Sequence, residues 1–245
     1  MSFPKSIVSV VPSQTELLHY LGLGDAVTGI TKFCIHPDEW FREKKRVGGT
    51  KTLHLDVIRS LKPDLILANR EENERLQIEE LAREFLVYVS DISDLTDALE
   101  MIRTVGGLTG TTERAGKLIL ELQAGFSALP AFPRLSAAYL IWREPYMAAG
   151  AGTFIHSMMD KAGFDNVFGA LTRYPEVTPE MLAGAGPDVV LLSSEPYPFR
   201  EKHLEELSAV CPRTRVILAD GELFSWYGSR LLHTPDYFKQ LRTQF

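Results

Sequence analysis

Two hydrophobic periods alternate along this chain. Short continuous apolar runs at 7–11, 26–31, 64–68 and 86–89 read as buried strands. Segments of helical period separate them, at 13–21, 55–61, 71–84 and 94–108. Ser13 and Glu16 stand at capping-box spacing at the start of the first helix, and Pro63 stops the second. The stretch 32–51 is polar and irregular and holds Cys34, His36, Trp40 and the pair Gly48-Gly49. Strands alternating with helices predict βαβ units and a mainly parallel sheet. The next segment, 111–129, predicts one long amphipathic helix, with Leu118, Leu122 and Phe126 on one face and Pro130 and Pro133 beyond its end.

The pattern then begins again. Strands are predicted at 135–141, 188–192 and 215–219, and helices at 154–162, 179–183, 202–210 and 229–242. Leu55-Asp56-Val57-Ile58 followed by Pro63-Asp64-Leu65-Ile66-Leu67 has its echo in Pro179-Glu180-Met181-Leu182 followed by Pro187-Asp188-Val189-Val190-Leu191, at the same internal spacing. A single long-range repeat predicts two similar lobes rather than a solenoid. The expected fold class is therefore α/β, with two similar lobes of mainly parallel sheet joined by one long connecting helix. The lobes fall at 1–110 and 131–245, with the connector at 111–130.

The bulk composition narrows the function. At 245 residues, 45% hydrophobic and 24% charged, the chain is an ordinary globular one, and its formal net charge of -6 argues against nucleic acid as a partner. No apolar run reaches membrane-spanning length. Ile7 to Val11 is too short for a signal-peptide core, so a periplasmic or extracytoplasmic location requires a leader already removed, and a native start at Met1 implies the cytoplasm. Cys34 and Cys211 are far apart in sequence, and their pairing stays open. Cys34, His36 and His54 make no complete metal set, so no resident metal or covalently bound cofactor is expected.

No G-x-S-x-G elbow, phosphate-cradling glycine loop or H-E-x-x-H motif occurs, and an enzyme is not expected. Gly150-Ala151-Gly152-Thr153 reads as a turn and helix cap. The chemistry gathers instead in loops after strands of the second half: Trp142, Arg143 and Tyr146; Tyr174; Glu195 and Tyr197; Trp226 and Tyr227. Open α/β sheets bind ligands at the carboxyl ends of their strands. Flat aromatic area with polar tips suits a macrocycle or aromatic chelate, while Arg143 and Arg230 suit bidentate pairing with anionic groups.

Taken in order, the segments 7–17, 55–67, 177–191 and 224–230 resemble the helical-backbone metal receptors, the ABC-importer binding proteins whose two α/β lobes share one long helix. The likeness to the cobalamin-binding branch runs nearly end to end. It implies a monomer that captures a metal chelate (a corrinoid, a ferric siderophore or a haem-like ligand) between its lobes and delivers it to an ABC permease. It adds Phe33 as a ligand contact and assigns Asp56 and Glu180, one acid per lobe, to docking on that permease. Read by themselves, these two acids complement helix dipoles. Where the branch's best-known member carries tryptophans, this chain has Thr50, Asn69 and Tyr174, which leaves the ligand open. The alternative on the same fold is a cytoplasmic sensor or carrier without transport. A metal-cluster enzyme on a two-lobed scaffold needs more cysteines than two.

Overall fold

The opening apolar run becomes β1 (Ile7–Ser9), buried along its whole length because it lies in the middle of a sheet covered on both faces. The protein is seen as a computed structural model that describes residues 3–245. After β1 come α1 (Pro12–Tyr20), β2 (Val27–Ile30), α2 (Asp38–Glu43), β3 (Lys45–Arg46), α3 (Leu55–Leu61), β4 (Leu65–Asn69), α4 (Arg75–Leu81), β5 (Val87–Ser90) and α5 (Leu95–Thr109). The five strands pair in parallel in the order β3-β2-β1-β4-β5. Val8, Val10, Val47, Ile58, Ile66, Ala68, Ile78 and Leu81 form a core between sheet and helices.

The chain then runs through α6 (Thr112–Ser127), β6 (Leu135–Trp142), β7 (Met147–Ala148), α7 (Phe154–Lys161), β8 (Phe164–Asn166), α8 (Pro179–Ala185), β9 (Val189–Ser193), α9 (Glu201–Val210), β10 (Arg215–Ala219), α10 (Gly221–Ser225), a 3₁₀ turn at Ser229–Leu232, and α11 (Thr234–Arg242). Its second sheet has the order β10-β9-β6-β7, with β8 also on β6, and only β7 antiparallel. Leu140, Val190, Leu192, Phe199 and Leu207 belong to its core. The protein divides into two units. The first runs to Ile92 and takes Thr96–Gln123 and Tyr227–Arg230, and the second takes Ser93–Leu95, Ala124–Trp226 and Leu231–Phe245. Among the described residues, no helix is long and apolar enough to cross a membrane.

The repeat seen in the sequence is a structural device used twice. Each short helix, α3 and α8, ends on a residue in the left-handed region, Lys62 at φ 47° and Gly186 at φ 55°. The following proline cannot extend the helix. The aspartate beyond it then clasps the amino end of the neighbouring strand. Asp64 Oδ2 accepts the N–H groups of Lys5 (2.7 Å) and Ser6 (3.0 Å). Asp188 Oδ2 accepts the Ser136 N–H (2.8 Å) and hydroxyl (2.7 Å). Both carboxyls are held below their ordinary range, chiefly by those hydrogen bonds, from the Lys5 backbone for Asp64 and the Ser136 hydroxyl for Asp188.

Several local expectations need correction. The capping box on Ser13 and Glu16 does not form: Pro12 takes the first helical position, where its fixed φ fits, and Val11 becomes the N-cap with no side-chain bond. Ser13 Oγ is left buried without a hydrogen-bond partner, and Glu16 pairs with Arg230 instead. The helix expected at 71–84 begins only at Arg75, because Asn69 Oδ1 takes the N–H groups of Glu71 and Glu72 (2.8 and 3.1 Å) and folds that segment as a turn. The stretch at 32–51 contains α2, anchored by the buried Trp40, and the two-residue β3. The segment at 229–242 splits into the 3₁₀ turn and α11, with Pro235 in the first turn of the latter.

Gly186 tests the left-handed junction. A Cβ there meets nothing nearer than the Ala183 carbonyl at 3.9 Å, so only backbone strain opposes one. Gly186→Ala is expected to destabilise the protein by about 1 kcal/mol in urea unfolding. An unchanged midpoint would show that this left-handed turn costs an L-residue nothing.

Candidate functional site

At the carboxyl end of the first unit's sheet, β2 leads into Lys32, Phe33, Cys34 and Ile35. Phe33 is 50% exposed and Ile35 45%, an apolar pair held on the surface by a tight turn beneath it. In that turn Gly48 adopts φ 104°, and its missing Cβ would strike the Thr52 carbonyl. Gly49 comes next, where a Cβ would press on the Phe33 ring at 3.2 Å. The Lys32 ammonium lies 5.1 Å from the Phe33 centroid. Cys34 turns inward, where Thr15 donates to its sulfur at 3.1 Å and Thr31 lies 3.2 Å away. Burial pushes the thiol up, and it is free, as is buried Cys211.

A buried amide network adjoins that turn. Asn73 Nδ2 donates to the carbonyls of Val10 and Thr50 (3.1 Å each), and its Oδ1 accepts the Asn69 N–H at 2.8 Å. Asn69 Nδ2 and Gln14 Nε2 both donate to Ser90 Oγ. Asn69 is therefore a buried turn-former (3% exposed), and Thr50 contributes its backbone.

In the second unit the aromatic residues after β6 and β9 come together. Trp142, 41% exposed, meets Tyr197 edge-on at 5.8 Å between centroids. Tyr197 packs on buried Phe199 at 4.8 Å, and Phe199 stacks with Tyr146 at 6.5 Å. Two α9 residues one helical turn apart hold this group from beneath. His203 Nδ1 accepts the Arg200 N–H at 2.9 Å, which leaves the ring proton on Nε2 to donate to the Tyr197 hydroxyl at 3.3 Å. Burial, with Lys202 and Arg143 nearby, lowers the His203 pKa and keeps it neutral. Glu206 receives both Arg143 Nη2 contacts (3.0 and 3.1 Å) and the Tyr146 hydroxyl (2.7 Å). Burial and the Glu206 carboxylate push Tyr146 up to about 12, and the Tyr146 and Arg143 bonds draw Glu206 down. Neither His203 nor Glu206 was among the sequence candidates. Their only signal was a three-residue spacing on one helix face, which a solvated helix shares.

The remaining candidates sit differently. Glu195, half-buried, accepts the Trp226 indole N–H at 2.7 Å and the Ser225 hydroxyl at 2.9 Å. Burial raises its pKa, with Glu222 and Asp220 adding to the rise. Trp226 (7% exposed) and Tyr227 (5%) are interior side chains. Tyr174 is half-buried in the loop before α8. Asp56 is fully exposed in the first turn of α3, 3.4 Å from Arg59, which also binds Glu80 and Glu84. Glu180 is exposed in the first turn of α8, its carboxyl held low by the Thr178 hydroxyl and its own N–H. Thr153 caps α7 by accepting the His156 N–H, so the glycine-rich segment before it is a turn and cap. A hollow of about 400 Å³ lined by Phe3, Lys5, Asp64 and Leu86 opens at the amino ends of the first sheet's strands, away from these loops. Among the described residues no group of three or more His, Cys, Asp or Glu is placed to hold a metal ion.

The comparisons agree with this architecture. An ABC transporter substrate-binding lipoprotein of Bacillus subtilis, YvrC, itself uncharacterised, is 25% identical over 97% of this chain and 82% of its own length. The periplasmic vitamin B12 binding protein BtuF of Vibrio cholerae superposes with a TM-score of 0.79 at 20% identity, covering 99% of both chains. A periplasmic heme binding protein from Pseudomonas aeruginosa gives 0.82 at 21%, over 99% of this chain and 93% of that one. At such identity the structural matches establish the fold alone. The periplasmic binding protein family model matches residues 7–209, most of the length, and the chain belongs to that family.

Proposed function

We propose that this protein is the substrate-binding component of an ABC importer and carries a metal chelate of the corrinoid, haem or siderophore kind. In this reading the lobes are 1–110 and 131–245, with 111–130 connecting them. The observation that carries the reading is the exposed aromatic surface at the carboxyl ends of the strands. Trp142 stands beside Tyr197 in the second unit, and Phe33 beside Ile35 in the first. Such positions in open α/β sheets are where ligands bind, and flat rings favour flat ligands. The family membership and the names of the relatives point the same way. Binding rather than catalysis is proposed, since the polar groups beneath the rings are engaged in holding one another.

Asp56 and Glu180 are assigned to permease docking, one acid from each repeat. Both are exposed first-turn residues outside the aromatic clusters. Exposed charges of this kind govern orientation and association rate more than affinity.

Three outcomes check this reading. Trp142→Ala is expected to weaken binding of cyanocobalamin or haemin, whichever the wild type takes, by about tenfold or more in fluorescence titrations, without loss of fold. Equal affinity would remove Trp142 from the site. Asp56→Lys and Glu180→Lys are expected to leave chelate affinity and stability almost unchanged while impairing association with the cognate permease in vesicles. Loss of stability with association intact would reduce both acids to helix-dipole partners.

The third concerns pH. A carboxyl whose folded pKa is raised stabilises the fold fully below its unfolded pKa and loses that contribution as pH rises through the folded value. For Glu195 the loss therefore begins above the ordinary value of 4.5. Glu195→Gln keeps an oxygen for Trp226, so its melting temperature should exceed that of the wild type near pH 7.5 and converge with it near pH 4 (about one unit either way). A constant difference across that range would show that the fold does not raise the Glu195 pKa.

A further inference from the structure

Arg143 is the arginine best placed to recognise an anionic ligand beside Trp142, yet it is already occupied. Its Nη2 meets both oxygens of Glu206 at 3.0 and 3.1 Å, and its Nη1 bonds Glu144. The Tyr146 hydroxyl, the other donor at this edge, gives its proton to the same Glu206 oxygen at 2.7 Å. Two carboxylates thus lie directly on one guanidinium. Burial lowers the pKa of the neighbouring His203 imidazole, and the nearby cations Arg200 and Lys202 are exposed to water.

We infer that Glu206 is a specificity determinant: an internal counter-ion that makes this edge of the site reject chelates bearing carboxylates and accept those whose periphery carries uncharged hydrogen-bonding groups. The inference rests on the chelate-binding reading above and goes further by naming the ligand class. An incoming carboxylate would trade one bidentate arginine pair for another of similar strength and place its charge beside those of Glu206 and Glu144. An amide meets no such opposition, and its N–H groups find carboxylate oxygens at the same edge. The first unit repeats the arrangement. Arg230, the other guanidinium expected to receive anions, is paired with Glu16 at 2.8 and 3.0 Å, with both side chains about four-fifths buried.

The test uses two probes on the intact protein: haemin, with two carboxylates on its edge, and cyanocobalamin, with amides around its corrin. Wild type is expected to bind cyanocobalamin more tightly than haemin. Glu206→Gln should raise the ratio of haemin to cyanocobalamin affinity about tenfold. Arg143→Gln in that background should abolish the gain. Independently of ligand, ultraviolet titration should show Tyr146 ionising at lower pH in Glu206→Gln than the value of about 12 it has beside the carboxylate. Preference of the wild type for haemin, or an unchanged affinity ratio in a folded Glu206→Gln, would overturn the assignment of Glu206 while leaving the chelate reading intact. If neither probe binds wild type or variant, the corrinoid and haem readings fall and the ligand class named here falls with them.

Discussion

A strand buried on both faces carries no alternation of side chains to fix its register, so something else must. Here the constraint falls on the amino ends of the strands. β4 and β9 are each buried along five residues, and the aspartate just before each clasps the start of its neighbour, β1 or β6. A one-residue slip would break that clasp along with the ladder, leaving strand N–H groups unpaired. With register set at the amino ends, the carboxyl ends are free of that duty, and there the chain places its long aromatic loops. The division of labour between the two ends is the same in both units.

Much of this was legible in the sequence because the device is local. Helix, left-handed residue, proline, aspartate and apolar strand follow one another without a gap, and their recurrence predicted two similar α/β units. The aromatic loops were legible for a related reason: Trp142, Tyr146 and Tyr197 stand immediately beyond or between strand runs, where a parallel sheet has its ligand end. What the residue string conceals is which loop partners find one another across the sheet. Glu206 is more than sixty positions from Arg143, and within Glu201–Val210 it looks like any charged residue on a solvated helix face. Trp226 and Tyr227 mislead in the opposite sense. Their chain position suits the ligand end, yet Glu195 accepts the indole N–H and both side chains lie inside. Ser13 likewise has cap chemistry at cap spacing, but Pro12 at the first helical position moves the N-cap two places back to Val11 and removes its task.

The exposed aromatic surfaces of the two units differ in how they are supported. In the first unit the Phe33 ring lies against a glycine turn, and an amide side chain bonds the main-chain carbonyl of Thr50 in that turn. A platform of that sort depends on turn geometry and tolerates few changes beneath it. In the second unit Tyr197 and Tyr146 are bonded to ionisable side chains, His203 and Glu206 respectively. In the proposed binding role, chemical selection is more readily altered in the second unit, where one substitution changes charge without moving backbone.

The two thiols have a practical bearing. Cys34 and Cys211 lie in different units, both reduced, both buried, and both with burial raising the pKa so that little thiolate forms near neutrality. Maleimide reagents are attacked by thiolates, so the native chain offers them a quiet background. A single cysteine introduced on an exposed surface of either unit can therefore carry a fluorophore or spin label without first stripping out the natural pair, and a signal change on adding a chelate would report on that unit alone.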